Sequence, residues 1–373
     1  MRHTTLGTAA RPGTALLGMG LVLALMVWLQ DELNPDWLGY AAIYQNAGAW
    51  LADQGRDPLF LLLMGTMSTL FGPDGYETFR IVLAGYFAVF TYLLLRSRQV
   101  PADGRNQSWP LLLLGLLPFV APRFTIQIRE GLALTLVLVG MTLLNRAAPA
   151  ATATAGPVRR AVLAPTVLLF AAGAALHSGT AVLLMALLAA LAVRHVCAGA
   201  VRLELWLLLS LGLLAVATSA VVSTLGLATP AGRALIDDLY GLLAVEDATV
   251  SVAKWTYWAV YGLGVLTLAG RVRGLYQRGL LPDGLRPVLG VVTLVMLPAI
   301  YVTALLLLGA GMPAIVVSGA ARVMNMLLSV SLLVLALRGE LNLRLGLFCV
   351  LVLVDQARVI VEAVLGAGAF ESL

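Results

Sequence analysis

Apolar runs long enough to cross a bilayer recur along the whole chain, separated by short stretches rich in Gly, Pro and Arg. Each run is continuous rather than alternating. It therefore reads as a helix that satisfies its own backbone inside about 30 Å of hydrocarbon, and a barrel, which needs period-two alternation, is excluded. The runs place spans near 13–30, 79–95, 109–122, 125–144, 162–176, 178–194, 205–228, 255–270, 287–309, 321–337 and 345–366. The expectation is an all-α, polytopic membrane protein of about eleven transmembrane helices, with residues 1–373 forming a single integral membrane domain. Arg2 and Arg11 precede the run from Thr14 to Leu29 as in a signal peptide, but Gln30-Asp31-Glu32 has no small-residue cleavage site, so an uncleaved first helix is expected.

One apolar segment breaks the series. Pro58 to Phe71 is only fourteen residues long, and a full crossing there would put Arg96 and Arg98 on the opposite side from the other Arg-rich loops. An interfacial or re-entrant helix is expected instead. Before it, Trp37, Tyr40, Ala41, Tyr44, Ala47 and Leu51 recur at helical spacing among polar residues, which predicts a second helix lying on the membrane surface. The first outer loop is thus read as two juxtamembrane helices. No internal repeat of the kind that marks many transporters is evident.

Composition agrees: 12% of residues are charged and 60% hydrophobic, which leaves no material for a water-soluble surface. The loops at 96–108, 145–161, 194–204, 271–286 and 338–344 carry fourteen Arg against four acids, and by the positive-inside rule they are cytoplasmic. Most acids fall on the other, periplasmic side. The net charge of +5 therefore reports orientation, and no nucleic-acid partner is expected. Cys197 and Cys349 have no ligand or redox spacing and read as structural. Without a Walker loop, a G-x-G-x-x-G strand–helix turn or H-E-x-x-H, neither cofactor nor metal is expected, although acids on the outer face leave a divalent ion open.

The chemistry-bearing residues gather at the outer level. Asp36 is either a general base, in a partly dry interface that favours the protonated carboxyl, or the N-cap of the helix starting at Trp37. Arg123 and Arg129, in Arg123-Phe124-Thr125-Ile126-Gln127-Ile128-Arg129-Glu130, violate the positive-inside bias. Beside a helix N-terminus they suit a phosphate or diphosphate; the alternative is that Arg129 pairs with Glu130 or another outer acid, or snorkels. His177-Ser178-Gly179 joins two apolar runs, and His177 is a donor to phosphate, a proton acceptor or a turn residue bonded to a backbone carbonyl. Arg322 is another cation out of place. Asp355, Arg358 and Glu362 share one helix face, as an ion-paired stripe or as part of a site. The loop 229–254, with Asp237, Asp238, Glu246 and Asp247, reads as an amphipathic outer helix with a solvated acidic face.

Asp36 with Tyr40 and Tyr44, Asp57-Pro58-Leu59-Phe60, Ile128-Arg129-Glu130-Gly131-Leu132-Ala133 and His177-Ser178, in that order over residues 34 to 195, resemble the EpsG family of exopolysaccharide polymerases, which is related to the Wzy-type O-antigen and capsule polymerases. Asp57 stands where that family has Glu, and Glu130 where it has Gln. The first outer loop, followed by Arg80, also resembles the wider GT-C glycosyltransferase class. The resemblance implies a polymerase that joins oligosaccharide repeat units carried on undecaprenyl diphosphate, at the periplasmic face of the bacterial inner membrane. It implies Asp36 and His177 as catalytic, and Arg129, Arg123, Arg322 and Arg80 as diphosphate or donor ligands. Tyr40, Tyr44, Arg56, Asp57, Gln127, Glu130, Ser178, Asp355 and Arg358 are the implied substrate contacts. The expected partners are the lipid-linked saccharide, membrane lipid, and a chain-length regulator and flippase of the same pathway. A GT-C transferase using a lipid-phosphate sugar, or a lipid-linked glycan transporter, are the alternatives; a transporter wants its binding groups at mid-membrane, whereas these charges lie near the outer surface.

Overall fold

A computed structural model describes residues 12–28, 37–54, 57–96, 109–125, 127–147, 156–177, 180, 184, 267, 268, 271, 328–330, 332, 333, 335–337, 339 and 341–365. Among the described residues the secondary structure is helical, without strands. The helices are α1 (Pro12–Trp28), α2 (Trp37–Gln45), α3 (Ala47–Gln54), α4 (Pro58–Phe71), α5 (Tyr76–Arg96), α6 (Trp109–Thr125), α7 (Ile128–Ala147), α8 (Gly156–Leu176) and α9 (Leu343–Leu365). They follow the apolar runs expected from the pattern to within a few residues at most ends. The expected spans at 178–194, 205–228, 255–270 and 287–309, and the start of 321–337, lie almost wholly outside the described residues, as does the acidic loop 229–254. Of the described helices, α5 alone is long and apolar enough to cross a membrane, the others being shorter or less apolar.

Residues 37–54 differ from their expected form. The expected single helix is two, α2 and α3, which meet at Asn46, whose side-chain amide donates to the Ala42 carbonyl. α4 opens with Pro58 at its first turn, where the missing N–H costs nothing. At fourteen residues it is about 21 Å long, well short of the hydrocarbon thickness. α2 and α3 pack on α4, and α4 in turn contacts α5 and α8. Tyr44 pins this arrangement: its hydroxyl donates to the carbonyls of Met67 (2.9 Å) and Gly72 (3.2 Å), and its ring stacks on Phe79.

Two close approaches bring the remaining elements to one level. A Cβ on Gly131 would lie 2.3 Å from the Arg123 carbonyl, so the end of α6 rests directly on the first turn of α7. A Cβ on Gly173 would lie 3.1 Å from the Ala133 carbonyl, and this contact sets His177, one turn later, opposite the head of α7. Behind the junction, Phe124 stacks on Phe87 at 4.0 Å and meets Phe90 and Phe119 edge-on, fixing α6 against α5. Tyr86 and Thr135 join α5 to α7; Thr135 donates to the Leu132 carbonyl, so Tyr86 is the donor between them (2.7 Å). Asn342 caps α9 through its Oδ1, which accepts from the Leu345 N–H (2.9 Å), and α9 packs on α6. Cys349 is buried in α9, in keeping with a structural thiol.

Candidate functional site

Where the head of α4, the end of α6, the first turn of α7 and the end of α8 meet, five ionisable side chains form one connected cluster. Asp57 heads α4 in the left-handed region (φ 50°, ψ 53°), a conformation that costs a residue other than Gly about 1 kcal/mol or more. Its carboxylate does not cap the helix. Instead it turns inward, buried, and accepts from Arg129 Nη1 at 2.9 Å. The Arg129 guanidinium sits 5.7 Å from the centres of both the Tyr40 and Phe60 rings, which hold it as a cation over aromatic faces. Its side chain remains 34% exposed, against 2% for Asp57.

Arg123 occupies the opposite kind of environment. Pro118 and Pro122 both lie inside α6, and Pro122 has no N–H with which to bond the carbonyl four residues earlier. Arg123 Nη1 takes that role, donating to the Pro118 carbonyl at 3.1 Å, and donates also to Ser329 Oγ at 3.1 Å. Its Nε donates to Glu130 Oε1 at 2.9 Å. The residue is 1% exposed.

His177 lies between the two carboxylates. Its Nδ1 is 3.9 Å from Asp57 Oδ2 and its Nε2 is 3.9 Å from Glu130 Oε2, so each nitrogen faces an acid beyond hydrogen-bond length. Nδ1 is buried and makes no hydrogen bond. The ring is 22% exposed. A chain of alternating groups thus runs Arg129, Asp57, His177, Glu130, Arg123, with access from outside at Arg129 and at the imidazole.

The cluster unites Asp57, Arg123, Arg129, Glu130 and His177 of the expected residues, with Tyr40 beneath Arg129. Gln127 is half-buried beside it and caps the α7 turn through its backbone, accepting from the Gly131 N–H. Tyr44 and Arg80 fall elsewhere. Tyr44 is fully buried in the α2–α4 packing, and Arg80 bonds Glu77 one turn earlier at 3.0 Å. Arg129 pairs with Asp57 and not with its chain neighbour Glu130, which bonds Arg123. Asp36, Arg56, Ser178 and Arg322 lie outside the described residues, and the side chains of Asp355, Arg358 and Glu362 do as well, although their backbone belongs to α9. Ser329 is the member that the sequence reading missed. Among the described residues, no three His, Cys, Asp or Glu side chains are grouped to hold a metal ion.

Residues 15–154 match the EpsG family. The matched stretch begins ahead of the resemblance quoted above and ends before His177, but it holds Tyr40, Asp57, Arg123, Arg129 and Glu130. The match bears out the resemblance over that stretch. No curated protein and no solved structure matches the chain.

Proposed function

We propose that this protein is a glycosyltransferase that polymerises undecaprenyl-diphosphate-linked oligosaccharide repeat units at the periplasmic face of the inner membrane, in exopolysaccharide, capsule or O-antigen synthesis. The observation that carries the reading is Arg129. Within the family-matched segment it is an accessible guanidinium, oriented by a buried carboxylate and two aromatic rings. In the reaction, an acceptor hydroxyl oxygen attacks the anomeric carbon of the donor. The bond from that carbon to the diphosphate oxygen breaks, its electron pair leaves with the diphosphate, and the hydroxyl proton passes to a base. A fixed cation is needed where the diphosphate gains charge, and Arg129 supplies it, with Arg322 as a further donor contact. Asp36 or His177 takes the proton. The scheme requires no metal and no nucleotide. A flippase and a chain-length regulator act before and beside it.

The periplasmic assignment rests on the Arg-rich loops and on α4 being too short to cross the hydrocarbon. The saccharides of a deletion strain test the function. Loss of polymer with single repeat units retained is expected; lipid-linked units held at the cytoplasmic side would mean a flippase instead.

A further inference from the structure

We infer that Arg123 and Glu130 form a positioning pair for His177, and that Arg123 is not a ligand of the donor's diphosphate. This rests on the proposed function and on His177 receiving the acceptor's proton. Arg123 offers almost no face to a substrate: it is 1% exposed, its Nε bonds Glu130, and its Nη1 bonds the Pro118 carbonyl and Ser329. The Ser329 contact joins residues 206 positions apart, so the guanidinium is anchored to two distant parts of the chain. What Arg123 holds is one oxygen of Glu130. With Oε1 fixed at 2.9 Å, the other oxygen, Oε2, is turned toward His177 Nε2.

Asp57 faces the opposite nitrogen of the same ring, and it too is anchored by an arginine. An imidazole that takes a proton becomes a cation, and here a carboxylate meets it on either side. At 3.9 Å neither carboxylate hydrogen-bonds the ring, but each stabilises the imidazolium by its charge without accepting the proton itself. Glu130 therefore acts through His177, and Arg123 acts through Glu130.

The test uses the full-length chain in proteoliposomes, with lipid-linked repeat unit extracted from the deletion strain as substrate. Glu130→Gln keeps an oxygen for Arg123 but removes the charge facing His177, and should lower kcat roughly tenfold with KM changed less than about twofold. Arg123→Lys should do the same. In a His177→Asn background, Glu130→Gln should cost nothing further, because the group it positions is gone. A rise in KM with kcat retained in Arg123→Lys would make Arg123 an anion ligand and overturn the inference. An undiminished loss from Glu130→Gln in the His177→Asn background would overturn it as well. Loss of turnover in His177→Asn with full turnover in Glu130→Gln would remove the positioning pair and leave the polymerase reading intact. Wild-type protein that fails to extend the extracted unit would remove both.

Discussion

Arg123 and Arg129 stand one short turn apart in sequence, and each bonds a carboxylate at 2.9 Å, yet their surroundings differ in every respect that decides function. The Arg123–Glu130 pair is 1% and 9% exposed, and its arginine also bonds the Pro118 carbonyl and a distant hydroxyl. The Arg129–Asp57 pair buries only its acid, leaving a third of the arginine side chain open above two aromatic rings. A pair buried on both sides resists exchange, because removing either partner strands a charge. A pair open on one side can trade its carboxylate for another anion. The same chemistry thus serves as a strut at the end of α6 and, under the proposed function, as a contact for substrate at the start of α7.

The comparison breaks if the open arginine proves dispensable. Arg129→Ala should lower polymer formation by a hundredfold or more, on the order of the loss when one donor to a developing oxyanion is removed. Membrane abundance should stay near normal, measured by immunoblot beside the glycan assay. Arg129→Lys should rescue poorly, since an ammonium cannot present a planar fork to a diphosphate. Asp36 sharpens the account from the other side of the reaction. As a base it loses roughly a hundredfold in rate on Asp36→Asn, with abundance unchanged, whereas a helix cap works nearly as well with Asn.

At the buried arginine the expected damage is to the fold. Arg123→Met leaves Glu130 charged and unpaired in a dry site, a loss of about 3–5 kcal/mol by analogy with broken buried pairs. Its melting temperature in detergent and its level in the membrane should both fall; wild-type values for both would deny the strut. The smallest effect is expected at Tyr44→Phe, which removes the one hydroxyl proton shared between two carbonyls of the α4 end but keeps the stacked ring. It should cost about 1–2 kcal/mol of stability by the same thermal measurement.

Much of this arrangement is legible in the residues. Continuous apolar runs place the described helices within a few positions, and the short run from Pro58 marks itself as unlike the rest by length alone. Arg129 and His177 stand out because cations and imidazoles are rare at such levels. The pairing is harder to read. Nothing local says that Asp57 will reach an arginine 72 positions away, because the left-handed turn that points it inward is a property of the α4 packing. Glu130 adjoins Arg129 in the chain, but neighbouring residues on a helix project about 100° apart, so its partner comes from α6 instead. One signal for Arg123 was present. Prolines at 118 and 122, four apart in a helix, leave one carbonyl without its N–H, and an arginine immediately after them is placed to satisfy it. The Asn46 break and the Ser329 contact depend on tertiary placement and leave no comparable trace.

The most direct measurement is chain extension by the purified full-length protein in proteoliposomes, supplied only with extracted undecaprenyl-diphosphate-linked repeat unit. The wild-type protein should convert single units to a ladder of longer lipid-linked glycans with release of undecaprenyl diphosphate, and Arg129→Ala should yield no ladder. A ladder of wild-type intensity from Arg129→Ala, or none from the wild type, would contradict the account.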